Sequence, residues 1–209
     1  MEGTAWIDRL AASDVVLLDD FLGTDASAAV RAEMQDIFAA GLGRPARVGR
    51  GEGEIYLPDT RRDLIHWFDD VAQPPAIAGF LARMEALRQT LNREAFLGLR
   101  RLECHAAYYG PGAFYKAHLD AFADGSNRLI TFVYFLNPGW GPAHGGQLQL
   151  LGPHACVIEP RMDRLVLFKS REVLHEVLPS HADRYTLTGW MYGVDEERRR
   201  RGGVLGDLS

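Results

Sequence analysis

The run Arg101-Leu102-Glu103-Cys104-His105-Ala106-Ala107-Tyr108 marks the point where this chain changes character. Leu102, Cys104, Ala106 and Tyr108 alternate with Arg101, Glu103 and His105. A period of two belongs to a half-buried strand, because successive side chains there point to opposite faces. Seven more strand-like runs follow, over 113–120, 128–136, 147–151, 155–159, 164–169, 173–178 and 184–192, most of them separated by Gly, Pro, Asn or Asp. Eight short strands at this spacing predict two antiparallel sheets packed face to face as a jelly roll.

Upstream of this block the periodicity is different. Val15-Val16-Leu17-Leu18 reads as a short buried strand. Thr24 or Asp25 caps a helix running to about Ala40, with Val30, Met34, Ile37 and Phe38 on its buried stripe. Pro74-Pro75 opens a second helix, whose apolar face is Ile77, Phe80, Leu81, Met84, Leu87 and Leu91. Between the helices, residues 41–53 are rich in Gly and carry Arg44, Arg47 and Arg50, which predicts a long loop of mobile or functional character. Ile55-Tyr56-Leu57 follows as a strand, and His66 beside Trp67 is expected in or near a helix. The predicted fold is therefore mainly β with flanking helices: a double-stranded β-helix (cupin-like jelly roll) with N-terminal helices packed on one sheet. One domain is expected over 1–209, with 1–98 as helical support and substrate loop and 99–193 as the jelly-roll core.

Composition restricts the function classes. The chain has 209 residues, 47% apolar and 24% charged, with a formal charge of −5. Such a balance gives no overall attraction to nucleic acid or to an anionic membrane, so neither is expected as a partner. The basic run Arg198 to Arg201 reads as a solvated tail. Cys104 and Cys156 lie in apolar stretches without CxxC spacing, which predicts buried free thiols, a reducing compartment and a cytoplasmic location. The N-terminus lacks the layout of a signal peptide, and no apolar run approaches the ~20 residues of a membrane span.

Chemistry is concentrated in four histidine, aspartate and arginine positions. In His118-Leu119-Asp120, a strand would aim the imidazole and the carboxylate from one face, supplying two members of a 2-His-1-carboxylate facial triad. Chance alone gives His-x-Asp/Glu about once in a chain with seven His and 28 acidic residues, and a second copy does occur at His181-Ala182-Asp183. Only the first copy is followed by another histidine, His175, in the strand-like segment Val173-Leu174-His175-Glu176-Val177. Arg184 lies nine residues further on and shares a strand face with Thr186, Thr188 and Trp190. An arginine facing a sandwich interior needs an anionic partner, and a dicarboxylate ligand can accept two parallel hydrogen bonds from it.

Taken together, the landmarks resemble the prolyl 4-hydroxylase-type 2-oxoglutarate oxygenases, within them the group acting on hypoxia factors and on elongation factor Tu. The residues that carry the resemblance are Tyr108-Tyr109-Gly110-Pro111-Gly112, His118-x-Asp120, Tyr134-Phe135-Leu136-Asn137-Pro138, Gly145-Gly146-Gln147-Leu148, Glu159-Pro160 with Asp163-Arg164-Leu165, His175-Glu176-Val177, and Arg184-Tyr185 through Trp190. Arg50-Gly51 and Ile55-Tyr56-Leu57 resemble the segment that closes over substrate in that group. The resemblance implies iron(II) on His118, Asp120 and His175, with dioxygen as oxidant and ascorbate as reductant. It implies that Arg184 holds 2-oxoglutarate, that Tyr108, Thr188, Val177 and Leu148 line the co-substrate pocket, and that Tyr115, Arg128, Trp190 and Arg50 contact substrate. Phe135 stands where the animal enzymes have a tyrosine that helps Arg184, and Thr131 is the nearby residue that could replace that hydroxyl. The implied activity is hydroxylation of a prolyl residue in a protein or peptide. A free amino acid or small metabolite as substrate, and a catalytically silent jelly-roll binding protein, stay open as alternatives. His105, His144 and His154 are read as structural or exposed.

Overall fold

The computed structural model describes residues 4–48, 55–68, 73–121 and 127–194. Arg50, the Asp124-Gly125 turn and the run 198–201 lie outside the described residues. The described residues contain three α-helices, two short 3-10 turns and eleven strands. Helix α1 (Ala5–Ser13) buries Trp6, Ile7 and Leu10, and ends at Asp14 in the left-handed conformation. Strand β1 (Val15–Leu18) follows, then α2 (Thr24–Ala39), β2 (Arg44–Pro45), β3 (Leu64–Trp67) and α3 (Pro75–Ala95). The remaining strands are β4 (Arg101–Tyr109), β5 (Tyr115–His118), β6 (Arg128–Phe135), β7 (Leu148–Leu150), β8 (Cys156–Ile158), β9 (Arg164–Lys169), β10 (His175–Val177) and β11 (Arg184–Tyr192). Among the described residues no helix is long and apolar enough to cross a membrane.

The strands form a seven-stranded sheet in the order β1-β9-β6-β11-β4-β3-β2 and a four-stranded sheet in the order β5-β10-β7-β8. Neighbouring strands are antiparallel throughout. Central strands of the large sheet are buried on both faces. On the outer face Cys104, Ala106, Phe132, Tyr134, Leu187 and Met191 meet the stripes of the three helices in one large apolar cluster. On the inner face Ala107, Tyr109, Val133, Phe135 and Phe168 meet Leu148, Leu150 and Val177 of the small sheet in a second cluster. The predicted jelly roll with helices on one sheet is thus the observed one, and the alternation at 102–108 is what sorts β4 between the two clusters. Gly189 is required where β11 passes β4, because a Cβ there would stand 2.0 Å from the Glu103 carbonyl oxygen and 2.4 Å from the Phe132 ring.

Polar anchors fix the helices to the strands. The Asp163 carboxylate accepts from the Leu22 and Gly23 amides (2.8 and 2.7 Å) and from the Tyr134 hydroxyl (2.7 Å), so the entry to α2 is tied to the turn before β9. Gly23 is the residue preceding the first turn of α2, where Thr24 or Asp25 was expected, and the Asp163 carboxylate fixes the backbone just before that turn without capping the helix amides themselves. Likewise the Glu33 carboxylate of α2 takes the Ala76 and Ile77 amides at the start of α3.

Four expectations need correction, and one element was not foreseen. His66 and Trp67 lie on β3, paired with Ala106 and His105 of β4, and not in a helix, although His66 Nδ1 faces the Leu42 carbonyl just past the end of α2. Ile55-Tyr56-Leu57 is no strand; Ile55 makes an isolated bridge to Val48, and Tyr56 and Leu57 are exposed. The N-terminal half is more than helical support, since β1, β2 and β3 extend both edges of the large sheet. Cys156 is exposed, because β8 is the edge of the small sheet and turns Cys156 and Val157 outward; only Cys104 is buried. Helix α1 was not anticipated at all.

Replacing Asp163 with Ala removes three hydrogen bonds to one charged acceptor, and a loss of about 3 kcal/mol in unfolding free energy is expected. Asp163→Asn keeps an acceptor and tolerates the positive φ of 60° at this position, so it should lose clearly less. Urea denaturation of both variants checks this; equal losses would mean the carboxylate does not anchor α2.

Candidate active site

A cavity of about 1460 Å³ opens between the inner faces of the two sheets. The small sheet brings two imidazoles together, since His118 at the end of β5 pairs directly with His175 at the start of β10. Asp120 joins them from outside any strand. It lies two residues beyond β5, where the chain crosses to the large sheet, so the turn and not strand pleating aims its carboxylate. Asp120 Oδ1 is 3.7 Å from His118 Nε2, and Oδ2 is 3.6 Å from His175 Nε2. One ligand atom from each residue lies within 4.8 Å of the others, a separation that a single metal ion could bridge.

The other ring nitrogens are already engaged. His118 Nδ1 faces the Lys116 carbonyl at 2.8 Å, and His175 Nδ1 faces the Val173 carbonyl at 3.0 Å. Each carbonyl holds a proton on Nδ1 and leaves the Nε2 lone pair for a metal. Burial, followed by the nearby His175, pushes His118 down to about 4, so its imidazole is neutral near neutrality. Burial raises the Asp120 pKa, but His175, His118, the Thr131 hydrogen bond and Arg128 outweigh it and hold the group ionised below the usual carboxylate range. Thr131 Oγ1 donates to Asp120 Oδ2 at 2.8 Å and Arg128 donates to the Asp120 carbonyl at 3.1 Å. Thr131 therefore orients the carboxylate and stands away from Arg184, which overturns its expected role as a substitute donor there.

At the far end of the cavity Arg184 is 1% exposed, its Nε has no hydrogen-bond partner, and among the described residues no carboxylate pairs with it. Burial pulls its pKa down to about 10. The Tyr109 ring is 4.7 Å and the Phe135 ring 5.3 Å from its guanidinium carbon. Gly146 has φ +63°, and a Cβ there would meet Arg184 Cδ at 2.8 Å, so glycine gives the arginine its room. An anion entering this end would supply the missing partner, and a carboxylate matches the guanidinium fork.

The structure places most of the other expected residues around the same cavity: Val177, Leu148, Thr188, Trp190, Tyr115 and Arg128 all line it. Tyr108 does not. The pleat sends it to the helix side, where its hydroxyl donates to Asp183, and Tyr109 takes the inward place. The parity of β4 relative to Arg184, which pairs with Tyr109, is the signal that could have separated them. Tyr115 stacks on His118 at 3.6 Å and 17°. Arg128 sits 3.6 Å over the Trp190 ring. His181, from the rejected motif copy, is exposed in a turn, with Nδ1 facing the Ala143 carbonyl. His105 is buried, and it lines the cavity. Arg61 and Asp63 were missed: they form a buried two-pronged pair (2.8 and 2.6 Å), with the guanidinium 4.2 Å from the Tyr115 ring. An Arg-x-Asp spacing after a loop was the only trace of it in the sequence.

Comparison with known proteins agrees with this geometry. Residues 104–192 match the family model of the 2OG-Fe(II) oxygenase superfamily. A Pseudomonas putida prolyl-4-hydroxylase structure is 39% identical, with a TM-score of 0.82, over 91% of this chain and 98% of that one. A Trichoplax adhaerens prolyl hydroxylase, solved with a fragment of the hypoxia inducible factor oxygen degradation domain, is 28% identical over 95% and 91%, with a TM-score of 0.82. Among curated sequences, the hypoxia-inducible factor prolyl hydroxylase of Caenorhabditis elegans is 30% identical over 86% of this chain and 27% of its own length. Human Egl nine homolog 1 is 28% identical over 90% and 46%. The chain thus spans half or less of the length of these two curated relatives.

Two substitutions test the metal-ligand geometry. His175→Ala should abolish stoichiometric iron(II) binding in anaerobic titration, whereas His181→Ala should leave it intact; equal behaviour would mean the wrong histidine set. Thr131→Val removes only the hydroxyl that orients Asp120, and a metal affinity about tenfold weaker is expected, the low end for losing an outer partner of a ligand. Unchanged affinity would show that Asp120 is aimed by the backbone alone.

Proposed function

The chain belongs to the 2OG-Fe(II) oxygenase superfamily, and from that premise we propose that it hydroxylates a prolyl residue of a protein or peptide. The single observation that carries the site assignment is a buried guanidinium, Arg184, without a carboxylate partner among the described residues, in the cavity that also holds the His118, Asp120 and His175 cluster. In this reading the three residues hold iron(II) and Arg184 holds the distal carboxylate of 2-oxoglutarate. Tyr109 and Phe135 flank that carboxylate, and Val177 and Leu148 wall the pocket. When bound, the metal with 2-oxoglutarate and dioxygen supplies oxidising power sufficient for an unactivated carbon, giving succinate and carbon dioxide as co-products. Ascorbate keeps the metal ferrous between turnovers, and two free thiols suit a reducing, cytoplasmic setting.

The chain's own residues do the binding and shielding. The two sheets bury Arg184, His175 and Asp120, which limits the water around them. Thr131 and Arg128 hold Asp120, and the Tyr115 ring holds His118, so the ligands cannot relax when substrate enters. Support for a polypeptide substrate comes from the cavity mouth. Leu42, Tyr56 and Trp67 line it and are exposed, with Ile55 and Leu57 exposed beside Tyr56. Arg44 and Arg47 stand in the same wall. A free amino acid would leave this apolar rim unused, whereas an extended peptide would cover it. The prolyl hydroxylase names of the relatives point the same way.

Arg184→Lys keeps the charge and loses the fork, so the apparent affinity for 2-oxoglutarate should fall at least tenfold, about 1.4 kcal/mol. Phe135→Tyr places a hydroxyl beside the same guanidinium and should tighten it. Isothermal titration with the metal-loaded protein reads both; a wild-type affinity in the lysine variant would put the carboxylate elsewhere. For the substrate, mass spectrometry should find a gain of one oxygen on proline in peptides and not in free proline. Replacing exposed Tyr56 and Leu57 by Ser should raise the peptide KM about tenfold while 2-oxoglutarate affinity holds. Oxidation of free proline alone would overturn the polypeptide reading.

A further inference from the structure

His105 occupies a place that packing alone does not explain. Across the inner face of the large sheet the pairings Trp67 with His105, His105 with Thr188 and Thr188 with Val133 make one lateral row. The next row towards Arg184 is Ile65, Ala107, Thr186 and Phe135, and Arg184 itself pairs with Tyr109 beyond it. On the other side of the His105 row comes Trp190. His105 therefore stands two rows away from Arg184 and level with Trp67, the indole at the mouth. Small side chains at 107 and 186 keep the space between open.

The imidazole is 4% exposed, with its ring centre 4.7 Å from that of Trp67 and 5.4 Å from that of Trp190. Its Nδ1 is sealed and has no hydrogen-bond partner. A Leu or Met would fill a slot between two indoles without that penalty, so the polar ring points to a use for its other nitrogen, Nε2. Burial, helped by Arg61 and Arg128 against the weaker pull of Asp63 and Asp120, lowers the pKa to about 3, so the ring is neutral. A neutral imidazole carries one N–H and one lone pair. Leaving a lone pair unmet is milder than leaving an N–H unmet, which puts the lone pair on sealed Nδ1 and the proton on Nε2. Nε2–H is then the donor left for whatever enters the cavity.

We propose that His105 reads the substrate main chain, its Nε2–H donating to an amide carbonyl of the polypeptide beside the residue that is oxidised. The chemistry favours an amide over a free carboxylate: a neutral donor suits a neutral acceptor, while a carboxylate would be drawn to Arg184 or to the metal. The inference rests on the polypeptide reading above, and it assigns specificity to a residue outside the metal and 2-oxoglutarate sites.

The test compares His105→Leu, which loses both nitrogens, with His105→Gln, which keeps an N–H donor. The probe is the most readily hydroxylated member of a prolyl peptide library, with succinate release as the readout. His105→Leu should raise the peptide KM at least tenfold more than the 2-oxoglutarate KM, and His105→Gln should recover most of that loss. Thermal unfolding checks that each variant is folded, and His105→Met replaces Leu if Leu disturbs the indole packing. Equal peptide KM values for Leu and Gln variants, or a 2-oxoglutarate KM that rises in step, would overturn the role of His105 alone. Absence of peptide-driven succinate release in the unmodified protein would overturn the polypeptide reading, and this inference with it.

Discussion

A guanidinium enclosed by two sheets, with no carboxylate of the described chain beside it, is the constraint around which the site is arranged. Arg184 can be buried there because its neighbours give it room and weak compensation: the Tyr109 and Phe135 rings lie near it, and Gly146 withholds a Cβ. What they do not give is charge neutralisation, so the folded protein carries a standing demand for an anion at one fixed point. The His118, Asp120 and His175 cluster lines the same cavity, so an anion that answers the demand is held in the space that also contains the candidate metal centre.

The two sheets divide the remaining work. The small sheet aligns His118 with His175 by ordinary antiparallel pairing, whereas the large sheet supplies Thr131 and Arg128 to hold Asp120. The triad is therefore complete only when the sheets are packed, and the Asp120 turn is the seam between them. Arg128 also lies over Trp190, so one side chain touches both the Asp120 backbone and an aromatic wall of the cavity.

Much of this was legible in the sequence, and the failures share physical causes. Alternation found β4 and the seven strands after it, and helical stripes found α2 and α3, because those patterns record one buried face against a large core. Helix α1 was missed since its stripe of Trp6, Ile7 and Leu10 runs through only nine residues, and β3 since Leu64-Ile65-His66-Trp67 has no alternation to show. His118, Asp120 and His175 were found through order and spacing, yet the strand argument for Asp120 was wrong: a turn aims it. Tyr108 was taken for Tyr109 because two adjacent tyrosines are distinguished only by which face a strand turns inward. Partners such as Thr131 with Asp120, or Arg61 with Asp63 and Tyr115, arise from packing between elements that no local pattern records.

The two apolar clusters also differ in what they leave free to change. Helices α1 to α3 and the outer face of the large sheet form the larger cluster, while the cavity walls belong to the smaller one between the sheets. Side chains at 67, 105, 186 and 188 face that cavity without taking part in the helix-side packing. Drift or directed mutagenesis at those positions can remodel what the protein accepts while the cooperative unit that keeps it folded stays whole. The fold thus keeps its load of packing on one side of the central sheet and its adjustable surface on the other, so a change in what the cavity accepts need not be a change in what holds the protein together.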